Sequence, residues 1–270
     1  FQMGNDSSKR GGKSSKAGPS LGSKNPFKSG PSPAVLAQHM DNAKKSRILQ
    51  LKNHGLKTAP AELAHVAEFL RNLDLSQNKL TTLPAFIGLF QELKQLHLSE
   101  NLLQSIPDEI GELRKLEVLN ISNNRLKELP KTLVGCKVLR TINAANNSLF
   151  SFPIVLCHCR ELDILDVSTN QITEFPDDIA NLMVSELVAN QNQLSRLNSA
   201  ALTRCERLRT LRVEENCLGK EQFDRHILEC PGRDGQATVC LPIRKEETAG
   251  RERGSKVSGE ITSNWMCLDS

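Results

Sequence analysis

The segment Leu93–Pro107 reads LKQLHLSENLLQSIP, and the segment Leu116–Pro130 reads LEVLNISNNRLKELP. Both follow the pattern L-x-x-L-x-L-x-x-N-x-L-x-x-L-P, with Ile in place of Leu at some positions, and equivalent residues lie 23 positions apart. Self-similarity at a period between about 20 and 50 residues is the sequence signature of solenoids and repeat arrays. The pattern therefore predicts a chain built from stacked, similar coils.

The same pattern extends on both sides of these two copies. Three further strict copies begin at Leu70, Leu139 and Leu162. Two looser copies follow, and their central strand residues are Leu187 and Leu211. Each copy has one asparagine at the equivalent position, and these are Asn78, Asn101, Asn124, Asn147, Asn170, Asn192 and Asn216. A degenerate copy upstream has His54 in place of the asparagine, which is typical of a terminal repeat. We therefore place the repeat domain at residues 47–219.

The repeat pattern has a simple physical basis. The L-x-L core predicts a short strand whose alternate residues point inward, and the strands of successive coils pair in parallel along a concave face. The asparagine side chain points inward after the strand, where its amide N–H and C=O groups can both satisfy buried backbone groups. Each coil is unstable alone and buries its apolar faces by stacking. The predicted fold is an α/β solenoid, a curved horseshoe with a parallel concave sheet and an irregular or short helical convex side.

In the strict copies the L-P step is followed by I-x-x-L, as at Ile110 and Leu113. These copies resemble the short L-x-x-L-P-x-x-I class of intracellular leucine-rich-repeat proteins, which includes Ras-associated scaffolds. The resemblance extends over roughly residues 34–229. It implies a protein-binding scaffold or adaptor in intracellular signal transduction, with small GTPases or phosphatase subunits as the implied class of partner.

The segments outside the repeats differ in composition. Residues 1–31 are rich in Ser, Gly, Lys and Pro, and such chains bury too little apolar surface to fold, so we expect a disordered basic tail. Ser32 and Pro33 are typical of a helix N-terminus and predict a capping helix over residues 32–46. The residues expected to face the first coil are Val35, Leu36, His39 and Met40. At the other end the pattern is lost, and residues 220–270 are expected to form an irregular tail without a closing cap.

The N-terminal sequence indicates a membrane tether. Met3–Ser8 matches the N-myristoylation pattern M-G-x-x-x-[ST]. Gly4 is the acceptor when translation starts at Met3, which the sequence places after Phe1-Gln2, and Met3 is then removed. One myristoyl chain binds membranes only marginally, and a polybasic stretch is the usual second signal. Residues 1–40 contain six Lys and Arg residues and one acid. We therefore expect a lipid-anchored peripheral protein at an anionic membrane surface; the alternative is an unmodified, solvated tail.

The rest of the composition is typical of a cytoplasmic protein. No run of about 18 apolar residues predicts a transmembrane helix, and no charged segment leading into an apolar one predicts a secretory signal. The eight cysteines are scattered and lack the spacing of a small secreted domain. We therefore expect free thiols in a reducing compartment.

The predicted binding surface is the outward column of the strands. The residue that follows the central leucine of each strand points to solvent at the concave face, because side chains alternate along a strand. The predicted protein-binding residues are Asp74, His97, Asn120, Asn143, Asp166 and Arg212. We expect a protein partner to bind this polar strip on a monomer; the alternative is a solvated face that carries consensus residues.

Catalytic and metal-binding patterns receive no support. Cys157-His158-Cys159 resembles a metal site, but Cys159 lies three residues before Leu162, in an inward column. Cys136 and Cys205 share that column, where a free cysteine behaves as a small hydrophobe. The pair formed by Asp74 and His97 lacks a nucleophile and a pocket, and nucleotide-binding and hydrolase motifs are absent from the sequence. We expect no enzyme activity, cofactor, metal or small-molecule substrate.

A nucleic-acid-associated role through the basic tail is the alternative function. The net charge of +4 over 270 residues is small, and most of the excess lies in the tail. The tail has no interleaved aromatic side chains for base stacking apart from Phe27. We therefore do not expect nucleic acid as the partner.

Overall fold

A computed structural model describes residues 30–218, 228–231 and 237–240 as one ten-stranded sheet with helical segments between its strands. The strands are β1 (Ile48–Gln50), β2 (Asn72–Asp74), β3 (Gln95–His97), β4 (Val118–Asn120), β5 (Thr141–Asn143), β6 (Ile164–Asp166), β7 (Glu186–Val188), β8 (Thr210–Arg212), β9 (Leu228–Pro231) and β10 (Ala237–Cys240). The α-helices are α1 (Pro33–Ser46) and α2 (Ser199–Leu202). Six 3-10 helices span Ala61–Val66, Ala85–Leu89, Asp108–Glu112, Lys131–Gly135, Ile154–His158 and Asp177–Asn181.

Successive coils place their strands side by side. Strands β1 to β8 pair in parallel, so that Leu49, Leu73 and Leu96 follow one another in register. The central residue of each of these eight strands is at most 1% exposed. Full burial of a leucine or isoleucine side chain stabilises a fold by about 1.5–3 kcal/mol, and each central side chain gains this only when a neighbouring coil covers it. The α/β solenoid predicted from the repeat is confirmed.

The helical side of the solenoid is closely packed in its middle coils. Each of the six 3-10 helices directly follows a proline. A Cβ atom on Gly111 would clash with the backbone carbonyl of Thr132, and one on Gly135 would clash with the carbonyl of Gly111. Neighbouring coils therefore approach each other here at a distance that only glycine permits.

The asparagine ladder joins each coil to the one before it. Asn147 illustrates the geometry: its Oδ1 accepts a hydrogen bond from the N–H of Leu126 at 3.0 Å, and its Nδ2 donates to the carbonyl of Ile121 at 3.1 Å. The same Nδ2 lies 3.0 Å from the carbonyl of Ala144 in its own coil. The other six ladder asparagines make the same kinds of contact, and these are Asn78, Asn101, Asn124, Asn170, Asn192 and Asn216.

The residue before each ladder position has left-handed backbone geometry. The φ angles lie between 52° and 57° at Asn53, Gln77, Glu100, Asn123, Asn146, Thr169, Gln191 and Glu215. The left-handed conformation costs an L-residue about 1–2 kcal/mol, and it is least suited to a β-branched residue such as Thr169. In seven of these eight turns the next residue is a ladder asparagine, whose side chain points into the interior; after Asn53 it is His54.

The first coil is covered by α1. Ser32 Oγ accepts a hydrogen bond from the N–H of Val35 at 3.4 Å, and Arg47 ends the helix with a φ of 62°. Leu36 and Ala43 are buried against the coil, whereas Val35 is 41% exposed. The expectation that Val35 faces the coil is therefore wrong, because helical spacing of three and four residues aligns Leu36 with positions 40 and 43 instead.

Side chains also cover the free edge of β1. Ser46 Oγ accepts a hydrogen bond from the N–H of Ile48 at 3.2 Å and lies 3.1 Å from the carbonyl oxygen of the same residue. Further along, His54 Nδ1 lies 2.8 Å from the carbonyl oxygen of Lys52. These local contacts occupy backbone groups that point away from β2.

The sheet continues beyond β8 with a change of direction. β10 pairs antiparallel with β8, and β9 pairs antiparallel with β10 and forms the outer edge. The expectation of an uncapped, irregular segment over 220–270 is therefore wrong for these eight residues. The repeat period could not reveal them, because a hairpin pairs through backbone groups and needs no repeat pattern. The rest of that range and residues 1–29 of the predicted basic tail lie outside the described residues.

The ladder predicts an effect on stability. Asn147→Ala removes the partners of one buried N–H and of carbonyls on two coils, and each unsatisfied buried group costs about 1–3 kcal/mol. We expect the free energy of unfolding, measured by urea denaturation, to fall by about 3 kcal/mol. Gln104→Ala, at an exposed position in the same class of loop, serves as the control and should change it by less than about 0.5 kcal/mol. Equal effects of the two substitutions would contradict a structural role for the ladder.

Candidate functional site

The outward side chains of the strands form two columns on one face of the sheet. The predicted binding residues lie in the column at the last position of each strand, which we call the outer column; its members are Gln50, Asp74, His97, Asn120, Asn143, Asp166, Val188 and Arg212. The register brings Asp74 to Asp166 together on five neighbouring strands. Arg212 lies apart from them, because Val188 on β7 separates it from Asp166.

Several outer-column side chains also hold the turn that follows the strand. Asp166 Oδ1 accepts hydrogen bonds from the N–H of Ser168 at 2.9 Å and from its hydroxyl at 2.6 Å. The equivalent carboxylate or amide oxygens of Asp74, Asn120 and Asn143 accept from the residue two positions further on. This structural role was not predicted from the sequence, although the recurring Asp/Asn-x-Ser at the strand end is typical of such turns. One side-chain oxygen of each residue is therefore committed to the fold.

The column at the first strand position completes the face and was not predicted as part of it. Its members are Ile48, Asn72, Gln95, Val118, Thr141, Ile164, Glu186 and Thr210. Val118 and Ile164 flank Thr141 on neighbouring strands, and Ile164 is 39% exposed. The alternation that places Asp166 outward also places Ile164 outward, so the signal for this column was present in the sequence.

The charges of the face are partly paired with one another. Arg212 Nη2 lies 3.3 Å from Glu186 Oε1, across β8 and β7. Asn72 Nδ2 donates to Gln95 Oε1 at 2.9 Å. The face therefore combines paired charges at its C-terminal end with apolar side chains on β4 and β6. The carboxylate of Asp166 lies on the same strand as Ile164, and that of Asp74 lies on β2, two strands from Val118.

The cysteine cluster is part of the core. Cys157 and Cys159 are buried, whereas His158 between them is exposed. Burial raises the pKa of the Cys157 thiol to about 12 and that of Cys159 to about 11, so both remain protonated near neutral pH. Within residues 30–218 and the two C-terminal strands, no three His, Cys, Asp or Glu residues are grouped to hold a metal ion.

A polar groove of about 510 Å³ lies between the loops of two neighbouring coils near α2. Arg196 and Glu174 form an ion pair across it at 2.9 Å, and Asn198 Nδ2 donates to Asp177 Oδ1 at 2.7 Å. The polar groups of the groove therefore bind each other and connect the coils.

Among the described residues, no helix has both the length and the apolar composition that a membrane span needs.

The double role of Asp166 predicts different outcomes for two substitutions. Asp166→Ala removes the oxygen that holds the turn, and loss of a comparable capping side chain costs about 1 kcal/mol of stability. Asp166→Asn keeps an acceptor oxygen, as Asn120 and Asn143 do naturally, and should stay within about 0.5 kcal/mol of the wild type. Chemical denaturation of the two variants measures the difference. Equal stability of both variants would show that the turn does not depend on this oxygen.

Known proteins share the repeat and the fold. Two family models described as leucine-rich repeats match residues 69–90 and 91–149. A leucine-rich-repeat protein of Leptospira interrogans is 29% identical, with a TM-score of 0.60, over 68% of this chain and 52% of its own length. A plant peptide hormone receptor, solved in complex with RGF2, is 30% identical, with a TM-score of 0.56, over 63% of this chain and 28% of its own.

An internalin C2 of Listeria monocytogenes has the same fold at 21% identity, with a TM-score of 0.60 over 71% of this chain and 88% of its own. The chain spans about half the length of the Leptospira protein and about a quarter of the plant receptor. The family models, the structural similarity and the parallel strands with their asparagine ladder agree. Residues 69–149 match the leucine-rich-repeat models, and the fold of this chain is similar to that of leucine-rich-repeat proteins.

Proposed function

We propose that this chain is a non-catalytic protein-binding scaffold or adaptor in intracellular signal transduction, which binds its partner through the outward face of β2 to β8. The observation that carries the proposal is the open face itself. It presents polar side chains around Val118, Thr141 and Ile164. Among the described elements, β1 is the one strand in contact with a helix. Apolar side chains at the centre of a polar surface are typical of protein interfaces.

The fold of the related proteins supports a protein or peptide partner. The plant receptor of similar structure was solved with RGF2 bound. A rigid sheet holds its outward side chains at fixed spacing, so binding of a partner does not also have to order the backbone of the surface. We propose that Asp74, His97, Asn120, Asn143, Asp166 and Arg212 contribute polar contacts and that the protein acts as a monomer.

The N-terminal sequence supports a membrane tether and a cytoplasmic location. The motif Met3–Ser8 and the six basic residues before Gly30 provide the two signals that stable anchoring needs. The stretches Leu73–Lys79, Leu165–Ile172 and Arg212–Leu218 also resemble leucine-rich repeat-containing protein 57. We propose that Gly4 is myristoylated and that the repeat domain works close to the cytoplasmic membrane surface.

Affinity purification tests the binding face. Asp166→Asn combined with His97→Gln removes charge and shape from the face and keeps the turn. The control combines Glu128→Gln with His158→Gln, both at exposed positions away from the sheet. We expect the double variant of the face to lose at least one cross-linked protein partner that the wild type and the control both retain. The same set of partners for all three proteins would remove the binding face from the proposal.

Gly4→Ala tests the tether in cells. N-myristoylation requires glycine at this position, so the substitution should move the protein from the membrane fraction to the soluble fraction. Gly11→Ala, in the same basic segment, is the matched control and should remain with membranes. A mass spectrum of the N-terminal peptide that shows a free or acetylated terminus in the wild type would reject the anchor.

A further inference from the structure

Three cations follow one another where the chain enters the first coils. Arg71 donates its backbone N–H to the carbonyl of Arg47 at 2.8 Å, and Lys94 donates to the carbonyl of Arg71 at 2.7 Å. The three residues therefore lie on adjacent coils, about 4.8 Å apart. Further along the same column the sign of the charge alternates through Glu117 and Arg140. The uninterrupted row of positive charge is thus confined to the N-terminal end of the solenoid.

The carboxylates beside this row do not neutralise it. Glu117 pairs with Lys94 at 2.6 Å, and both side chains are about two-fifths exposed. The pKa of Glu92 is lowered by a hydrogen bond from Lys115 and further by the positive charges of Arg71 and Arg47. Lys94 and Lys115 are thus paired with Glu117 and Glu92, whereas Arg47 and Arg71 form no ion pair with another residue of the range 30–218. Exposed ion pairs of this kind are weak and leave the side chains available to other ligands.

Two apolar residues next to these cations in the chain have exposed side chains. Ile48, next to Arg47, is 46% exposed, and Phe69, two residues before Arg71, is 41% exposed. The last turn of α1 adds Lys44 and Lys45, of which Lys44 is paired with Asp41 at 3.1 Å. A surface that combines basic side chains with exposed Phe or Ile is suited to the boundary between lipid headgroups and acyl chains.

The chain that precedes the structure has the same sign of charge. Residues 1–29 contain six Lys and Arg residues and one acid, and they join the folded domain at its N-terminal end, next to α1. A flat anionic surface can bind this segment and the row of cations at the same time. A compact acidic protein would have to match the spacing of the three cations and of both apolar side chains. A flat anionic surface does not have to match that spacing.

We infer that the N-terminal basic corner, formed by Lys45, Arg47, Ile48, Phe69, Arg71 and Lys94, docks on the surface of an anionic phospholipid membrane. The guanidinium and ammonium groups contact lipid phosphates and carboxylates, and Ile48 and Phe69 enter the interfacial layer. This inference deepens the proposed membrane function and shares its premise that the N-terminal end faces the membrane. It does not require acylation of Gly4.

Vesicle binding by the unacylated full chain tests the inference separately from the tether. The probe is co-sedimentation with vesicles of phosphatidylcholine and phosphatidylserine, compared with phosphatidylcholine alone. Arg47→Gln with Arg71→Gln removes two cations, and a basic residue near an anionic surface contributes about fivefold to binding. We expect the partition coefficient to fall about 30-fold. Arg140→Gln with Arg209→Gln removes the same charge from the same column at distant coils and is the control.

The outcomes decide the inference. Unchanged binding in the control, together with weaker binding in the corner variant and in Phe69→Ser but not in Phe150→Ser, supports it. Equal losses in both arginine pairs show a general charge effect and overturn it. Unchanged vesicle binding of the corner variant overturns it as well, and loss of a co-purifying acidic protein from that variant assigns the corner to a protein partner. The Gly4→Ala experiment is independent, because these measurements use the chain without its lipid.

Discussion

The structure depends on one kind of interaction, the hydrogen bonds of an inward-pointing asparagine amide to the backbone of two coils. A coil of about 23 residues turns back on itself after a strand of three residues, and the turn leaves N–H and C=O groups inside the stack. Asn147 satisfies one N–H of the preceding coil and carbonyls of both coils with a single side chain. The leucine and isoleucine side chains at the strand centres can pack only because these groups are satisfied. An unpaired buried backbone group costs at least as much free energy as the burial of one methylene group contributes.

That requirement explains what the sequence could and could not predict. Leu119 and Asn124 stand in columns whose residue type is dictated by burial, so their period was visible and the strands followed from it. Thr169 stands in a column whose members share only a left-handed backbone, and Asn, Gln, Glu and Thr all occur there. No residue pattern marks this backbone conformation, which Asn53 also adopts although His54 follows it. The hairpin of β9 and β10 was missed for the opposite reason, because it follows no column at all.

The candidate site shows the same division. Its location followed from strand alternation, since the outer column must face solvent when Leu165 faces the core. The sequence could not show that Asp166 shares its carboxylate with Ser168, because that contact depends on how the chain turns after β6. The outer column therefore serves two purposes at once. The side-chain oxygens that accept from the backbone stabilise the turn of each coil. The remaining polar atoms of the column form the surface that a partner can contact.

The covered edge of β1 has a consequence for how the molecule behaves in a crowded solution. A parallel sheet with an open first strand is a template on which a second chain can add, and an array of identical coils would extend without limit. Ser46 and His54 occupy carbonyl and N–H groups on that edge, and at the far end the strand order reverses to antiparallel, with Pro231 contributing no N–H to the last strand. Both ends therefore differ from the edge of an interior coil, and this difference disfavours the addition of further chains in the register of the repeat.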